Sequence, residues 1–309
     1  MSLMRNAFLK ASESAWLREH ATRYRFMRRS VERFLPGESL DDALNAAQRL
    51  NESGVFAVLT HLGENVKQRP EAEEVARQYV IALERIRAAG LSAEISVKLT
   101  QLGLDLSAEL CRDNLTRVVE SSSAERTVWI DIEHSPYVDV TLSMYRRVHE
   151  AHRNTGICLQ AYLFRTEKDL ASLIPLGASV RLVKGAYSEP PEIAFAEKKD
   201  VDENFLRLAK IMLGPEARAT GVRAAFATHD LRLIQEISEW ASSQGIAKQQ
   251  LEFQMLYGIQ RAEQARLERE GCRIGVLVSY GAYWFPWFMR RLAERPANAF
   301  FLARNMFRR

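Results

Sequence analysis

Cysteine is scarce in this 309-residue chain: Cys111, Cys158 and Cys272 are far apart, odd in number, and never form a CxxC pair. That excludes a disulfide framework and a cysteine-rich zinc site, and it points to a reducing compartment with buried thiols. Long apolar runs are missing too. The longest uncharged stretch, Ile274 to Met289, is interrupted by Gly275, Gly281 and Pro286. It is too short to span a bilayer comfortably and reads as a buried strand followed by the aromatic start of a helix. Met1 to Lys10 lack the apolar core of a secretory signal. No GxGxxG or P-loop is present, so neither a dinucleotide fingerprint nor a nucleotide-phosphate loop is available. GxSxG, HxH and HExxH are absent as well, and no solenoid repeat is visible.

The composition that remains, 47% hydrophobic and 27% charged, is that of a soluble globular enzyme. The net charge of +4 is carried largely by the ends, through Arg23, Arg25, Arg28, Arg29 and Arg33 at one and Arg304, Arg308 and Arg309 at the other. There is no basic stripe interleaved with aromatics, which argues against nucleic acid as a partner. Such ends suit contact with an anionic membrane surface better.

Residues 1–50 read as a helical segment, with Leu40, Ala43, Leu44, Ala47 and Leu50 at helical spacing and Asp41 and Asp42 near a helix start. From residue 51 to 309 the pattern changes to one α/β domain. Short apolar runs at Val55–Leu59, Ala93–Leu99, Val128–Ile132, Ile157–Leu163, Ser179–Val183, Arg223–Ala227, Leu251–Met255 and Ile274–Val278 alternate with helical stretches. Those stretches include Glu71–Ala89, Leu142–His152, Val201–Leu213, Leu231–Ser242 and Ile259–Glu270. Gly90, Gly156, Gly177, Gly221, Gly245 and Gly271 stand where helix C-caps would precede strands. Strand–helix alternation implies a parallel sheet, and eight units fit a closed (β/α)8 barrel, with an open doubly wound sheet as the alternative.

Barrel enzymes keep their chemistry at the C-terminal ends of the strands. Those ends carry His61, Glu64, Lys98, Thr100, Asp131, Glu133, His134, Gln160, Tyr162, Arg165, Arg181, Lys184, Tyr187, Thr228, His229, Asp230, Gln254, Tyr257, Ser279 and Tyr280. Polar groups in apolar strands are costly to bury unpaired, so the set marks a pocket. Three chemistries compete for it. A metal on Asp131, Glu133, His134 and His229 lacks supporting spacing, and His149 and His152 sit on a helix read as solvated. A lyase could use Lys98 or Lys184 as a Schiff-base amine, although ion pairing is the simpler role. The third rests on Arg290, Arg291 and Glu294. Two adjacent arginines beside Trp284, Phe285, Trp287 and Phe288, braced by a glutamate one turn on, are built to grip a carboxylate.

Five segments carry a resemblance: Ile95–Gly103, Arg181–Tyr187, Phe226–Asp230, Phe253–Gly258 and Arg290–Pro296. Over roughly residues 40 to 305 the chain resembles the proline dehydrogenases, both the monofunctional bacterial enzymes and the corresponding domain of the bifunctional ones. The resemblance implies a distorted (β/α)8 barrel that binds FAD without a Rossmann unit, with a last helix over the mouth. It implies that Lys98, Arg290 and Arg291 hold the substrate carboxylate, that Glu294 pairs with the arginines, and that Asp131 orders the network beneath. Arg181 is implied near the reactive flavin nitrogen. Gln160, Val183, Gly185, Ala186, Lys198, Thr228, His229 and Gln254 are implied as flavin contacts, Leu256 as a wall of the substrate pocket, and Tyr187 as an aromatic neighbour. The implied reaction is oxidation of proline, with electrons passed to a quinone by a cytoplasmic enzyme peripheral on the inner face of the membrane. One departure concerns the eighth strand, where Leu277 and Ser279 stand in place of the usual Tyr and Pro. The ring-facing wall is therefore altered, and hydroxyproline or another secondary amino acid is an alternative substrate.

Overall fold

A computed structural model describes residues 34–63, 65–285 and 288–289. Its strands are β1 (Phe56–His61), β2 (Ala93–Val97), β3 (Val128–Ile130), β4 (Thr155–Gln160), β5 (Ser179–Val183), β6 (Arg223–Ala227), β7 (Glu252–Leu256) and β8 (Arg273–Tyr280). All are parallel, and β8 pairs back onto β1, with Phe56 opposite Gly275 and His61 opposite Tyr280. The expected closed barrel is therefore what forms.

The helices of the wall are α1 (Leu40–Asn51), α2 (Arg69–Ala88), α3 (Ala108–Ser121), α4 (Val138–Ala151), α5 (Thr166–Leu173), α6 (Lys198–Met212), α7 (Pro215–Ala219), α8 (Leu231–Ser243) and α9 (Arg261–Arg269). Of the segment expected to be helical over 1–50, residues 34–50 are described: 34–39 are not helical, and α1 begins at Leu40. It begins with a capping box: the Asp42 amide donates to the Ser39 hydroxyl at 3.1 Å, and the Ser39 amide donates to the Asp42 carboxylate at 3.0 Å. Such a cap contributes about 1 kcal/mol. Its buried face, Ala43, Leu44, Ala46 and Ala47, packs on β1 and β8, closing the seam where the barrel ends meet.

Alternation along each strand divides the molecule into two cores. Outward residues such as Ala57, Leu59, Ile95, Val97, Ile157 and Val180 join the helices in one large apolar cluster. Inward residues Phe56, Val58, Trp129 and Ala225, with Leu277 packed against them, form a smaller core inside the barrel. Glycine makes room for its two large rings. A Cβ on Gly156 would lie 2.6 Å from the Trp129 ring, and one on Gly275 would lie 2.5 Å from the Phe56 ring.

Gly156 therefore corrects the sequence reading. It is a β4 residue shaped by Trp129, whereas Gly90, Gly177, Gly221, Gly245 and Gly271 do take the left-handed conformation of helix ends. A second correction concerns α4. His149, read as solvated, is 3% exposed and stacks on Tyr145 at 4.9 Å, with its ring nitrogens facing the carbonyls of Thr155 and Leu176.

Candidate active site

The lower end of the barrel, where strands begin, is closed by charge. Arg223 donates to Glu252 at 2.9 Å and to Glu94 at 2.7 Å, and Arg273 approaches the same two carboxylates at 3.3–3.4 Å. Above them lies the Trp129 indole, whose N–H donates to Glu94 at 2.7 Å. The Arg223 guanidinium stacks on this ring at 5.0 Å, and Arg181 also lies 5.0 Å from its centre.

Arg181 begins the upper, C-terminal half. It is 4% exposed and is held at several points. Its Nη2 donates to Asp131 and to Ser96 at 2.5 Å each, its Nη1 to Gln254 at 3.2 Å, and its Nε to the Cys158 sulfur at 2.9 Å. Asp131, just past β3, also accepts from the Ser96 hydroxyl at 2.9 Å and from the Cys158 thiol at 3.5 Å. Burial alone would raise its carboxyl pKa, but Arg181 and Lys98, with those hydrogen bonds, outweigh burial and hold it below the ordinary carboxylate range. The Lys98 ammonium lies 3.8 Å from the other Asp131 oxygen, longer than a hydrogen bond, and its side chain is 16% exposed. Lys98, Asp131 and Arg181 are thus gathered in one place.

The remaining candidates surround this centre. Gln160, at the end of β4, donates to the Glu133 carbonyl at 3.2 Å, while its own carbonyl oxygen is buried without a partner. The Ser279 hydroxyl is another such group. Val183 ends β5, and Gly185 follows with φ +122°, where a Cβ would strike the Tyr162 ring at 2.3 Å. Ala186 is half-buried beside it. Tyr187 lies 4.0 Å from the His134 ring, and Glu189 ties the same loops together by accepting from the Ser135 amide at 2.8 Å and hydroxyl at 2.6 Å. The Thr228 hydroxyl accepts from the Asp230 amide at 3.1 Å, and the His229 Nε2 accepts from the Leu256 amide at 2.8 Å. That bond requires an unprotonated Nε2, as in the neutral ring carrying its proton on Nδ1. Leu256 and Leu277 are opposite one another in the β7–β8 pairing and half-buried, with Val58 next in line.

Two assignments take an unexpected form. The Gln254 amide points down the barrel, accepting from Arg181 and donating to Glu252 at 2.7 Å, so it bridges the two halves. Lys198 lies on the rim, 73% exposed, and shares Asp202 and Asp230 with Lys184. Burial would raise the Asp230 carboxyl, but these lysines hold it well below the usual range. Lys184 is therefore a paired cation and not a free amine. Among the described residues, no three His, Cys, Asp or Glu side chains are grouped to hold a metal ion. Glu133 instead accepts from the Thr100 amide and hydroxyl. Arg290, Arg291, Glu294 and Glu64 lie outside the described residues.

Ser96, Cys158, Trp129 and Glu189 were not singled out for a role from the sequence. Ser96 and Cys158 were accessible by period two, since they stand two residues before Lys98 and Gln160 on the inward face. Glu189 sits in an irregular loop that gives no such signal.

Comparison with known proteins agrees with this architecture. A family model described as Proline dehydrogenase matches residues 43–304. The chain is 37% identical over 308 residues to proline dehydrogenase 1 of Bacillus subtilis strain 168, covering 99% of this chain and 100% of the relative. It is 36% identical over 284 residues to a Deinococcus radiodurans proline dehydrogenase, covering 90% of each. A solved structure of proline utilization A from Bdellovibrio bacteriovorus, inactivated by N-propargylglycine, shares the fold with a TM-score of 0.80 at 23% identity; the match covers 94% of this chain but 36% of that longer one.

Proposed function

Because the chain belongs to the proline dehydrogenase family, we propose that it oxidises L-proline to 1-pyrroline-5-carboxylate with FAD as the hydride acceptor and a quinone as the final oxidant. The observation that carries this reading is the charge balance at the mouth. Among the described residues, Lys98 and Arg181 share one carboxylate, Asp131, and the Lys98 ammonium stands beyond hydrogen-bond length from it. A cation kept under-partnered at the end of a barrel strand suits a carboxylate ligand. With Arg290 and Arg291 added, as the family resemblance implies, three cations would pin the amino acid's carboxylate, and Glu294 would brace the pair. Fixing the substrate against its reaction partner lowers a barrier by about 7–11 kcal/mol at best.

The residues present fit a flavin. Gln160 and Ser279 offer buried oxygens without partners. Gln160, Val183, Gly185, Ala186, Thr228 and His229 would hold the group, with Lys198 at the rim. Gln254 would act on it through Arg181. When bound, FAD supplies the acceptor for the hydride leaving the ring carbon next to nitrogen. The protein's part would be to present the Arg181 guanidinium to the group, to keep Asp131 ionised in contact with Arg181, and to hold the substrate after its extra amine proton has been lost. Tyr187 provides an aromatic neighbour. No described helix is long and apolar enough to cross a membrane.

Leu277 favours a second substrate. It faces Leu256 across β7–β8, giving an aliphatic wall where relatives of this kind carry a phenol. Hydroxyproline or an N-alkyl amino acid would then compete with proline. The deciding experiment is an absorbance titration of purified protein with a panel of cyclic amino acids. Bleaching of the flavin bands by proline is the expected result, and preferential bleaching by another member would reassign the substrate. Colourless, flavin-free protein that turns over an aldol-type substrate through Lys98 would overturn the proposal in favour of a lyase.

A further inference from the structure

We propose that Cys158 is a positioning residue for Arg181, fixing the rotation of its guanidinium through the Nε hydrogen bond. The inference deepens the reading given above, since it takes Arg181 to stand beside the flavin. Cys158 and Arg181 are register partners in the β4–β5 pairing, so the sulfur is next to the stem of the arginine as well as its head. The other contacts grip the far end of the group: Ser96 and Asp131 on Nη2, and Gln254 on Nη1. A planar fork held at its two tips can still rock about the line joining them. A bond at Nε, 2.9 Å from Sγ, supplies the third point.

The thiol also donates to Asp131 at 3.5 Å, so one atom takes a hydrogen bond from the cation and gives one to its counter-ion. A thiol can do both, whereas a thiolate can only accept. Burial pushes the Cys158 pKa up to about 12, which keeps the proton in place at working pH. Removing the sulfur leaves a buried N–H on a charged group without an acceptor, a costly arrangement that the guanidinium relieves by turning.

Two substitutions separate this role from packing. Valine keeps the bulk and apolar character of cysteine but neither hydrogen bond. Serine keeps both bonds but is smaller. Measurements on flavin-loaded protein are the rate of flavin reduction at saturating proline, the apparent substrate constant, the reduction potential of the bound flavin and the melting temperature. Cys158→Val is expected to slow reduction by about tenfold and to lower the flavin potential, with the substrate constant changed by no more than about twofold. Cys158→Ser is expected to restore both rate and potential to near the parent. The reverse order, with valine near the parent and serine impaired, would show that the sulfur only fills space and would overturn the inference. If the valine variant does not fold, Cys158→Ala against Cys158→Ser gives the same comparison. Arg181→Lys distinguishes the two levels. If it leaves rate and potential unchanged, Arg181 does not serve the flavin and both readings fail. If it changes them while Cys158→Val does not, the cysteine proposal alone fails.

Discussion

The two ends of the barrel interior solve the same problem differently. At the floor, Arg223 and Arg273 face Glu94 and Glu252, so two cations meet two carboxylates, with Thr127 and the Trp129 N–H filling further positions. At the mouth, Arg181 and Lys98 share Asp131 alone among the described carboxylates within ion-pair distance. The floor is a closed, neutral network and needs nothing added. Among the described residues, the Lys98–Arg181–Asp131 cluster has two cations on one carboxylate at a partly buried place, which costs stability until an anion arrives. A site that binds a carboxylate is built this way, with the ligand completing a network that the fold leaves short.

The comparison breaks most directly at Arg223. Removing one member of a buried network leaves its partners unpaired, so Arg223→Met should lower the unfolding free energy by about 3–5 kcal/mol in urea denaturation. Flavin content measured below the transition should be retained. Gln254 joins the halves, and Gln254→Leu should cost about 1–3 kcal/mol, because Arg181 and Glu252 each lose a partner. It should also shift the flavin absorbance spectrum, which Arg223→Met should leave unchanged. A spectrum untouched in both variants would mean that floor and mouth are separate networks. Lys98→Met belongs wholly to the mouth. It should raise the apparent substrate constant at least about tenfold, equivalent to about 1.4 kcal/mol, while the urea midpoint stays level or rises.

The smallest effect is a control outside both ends, at His149. Burial, with Arg153 alongside, holds its pKa below the ordinary 6.5, against the opposing pull of two backbone carbonyls. A histidine kept neutral in the fold contributes its full stability above the unfolded value, and that contribution is lost as pH falls from about 6.5 through the folded value. Stability measured from pH 7 to 5 should therefore decline, and His149→Gln should flatten the decline. His61, likewise held low by its burial, would keep part of the slope. An unchanged slope would mean that His149 titrates normally.

Much of this was legible in the sequence because β-strand alternation and barrel chemistry leave regular traces. The eight apolar runs fall within a few residues of the strands, and Lys98, Asp131 and Arg181, each read at a strand end, lie together in the structure. Strand ends were less legible. Tyr162, read within a strand ending at Leu163, lies beyond β4, which stops at Gln160. Gly156 misled because a glycine before an apolar run resembles a helix cap, and only the position of Trp129 across the β3–β4 pairing reveals the other reason for it. The downward turn of Gln254 was hidden too, since a strand pattern gives the face of a side chain but not whether it leans up or down the barrel.

Trp129 has a consequence for anyone redesigning this interior. Two guanidinium groups, those of Arg181 and Arg223, each lie 5.0 Å from the centre of its indole, within cation–π range. An aliphatic replacement would fill much of the volume yet remove a cation–π partner from both arginines and the N–H that Glu94 accepts from. The ring and the two arginines therefore behave as one unit of substitution, because changing the tryptophan alone takes a contact from the floor and from the mouth at once.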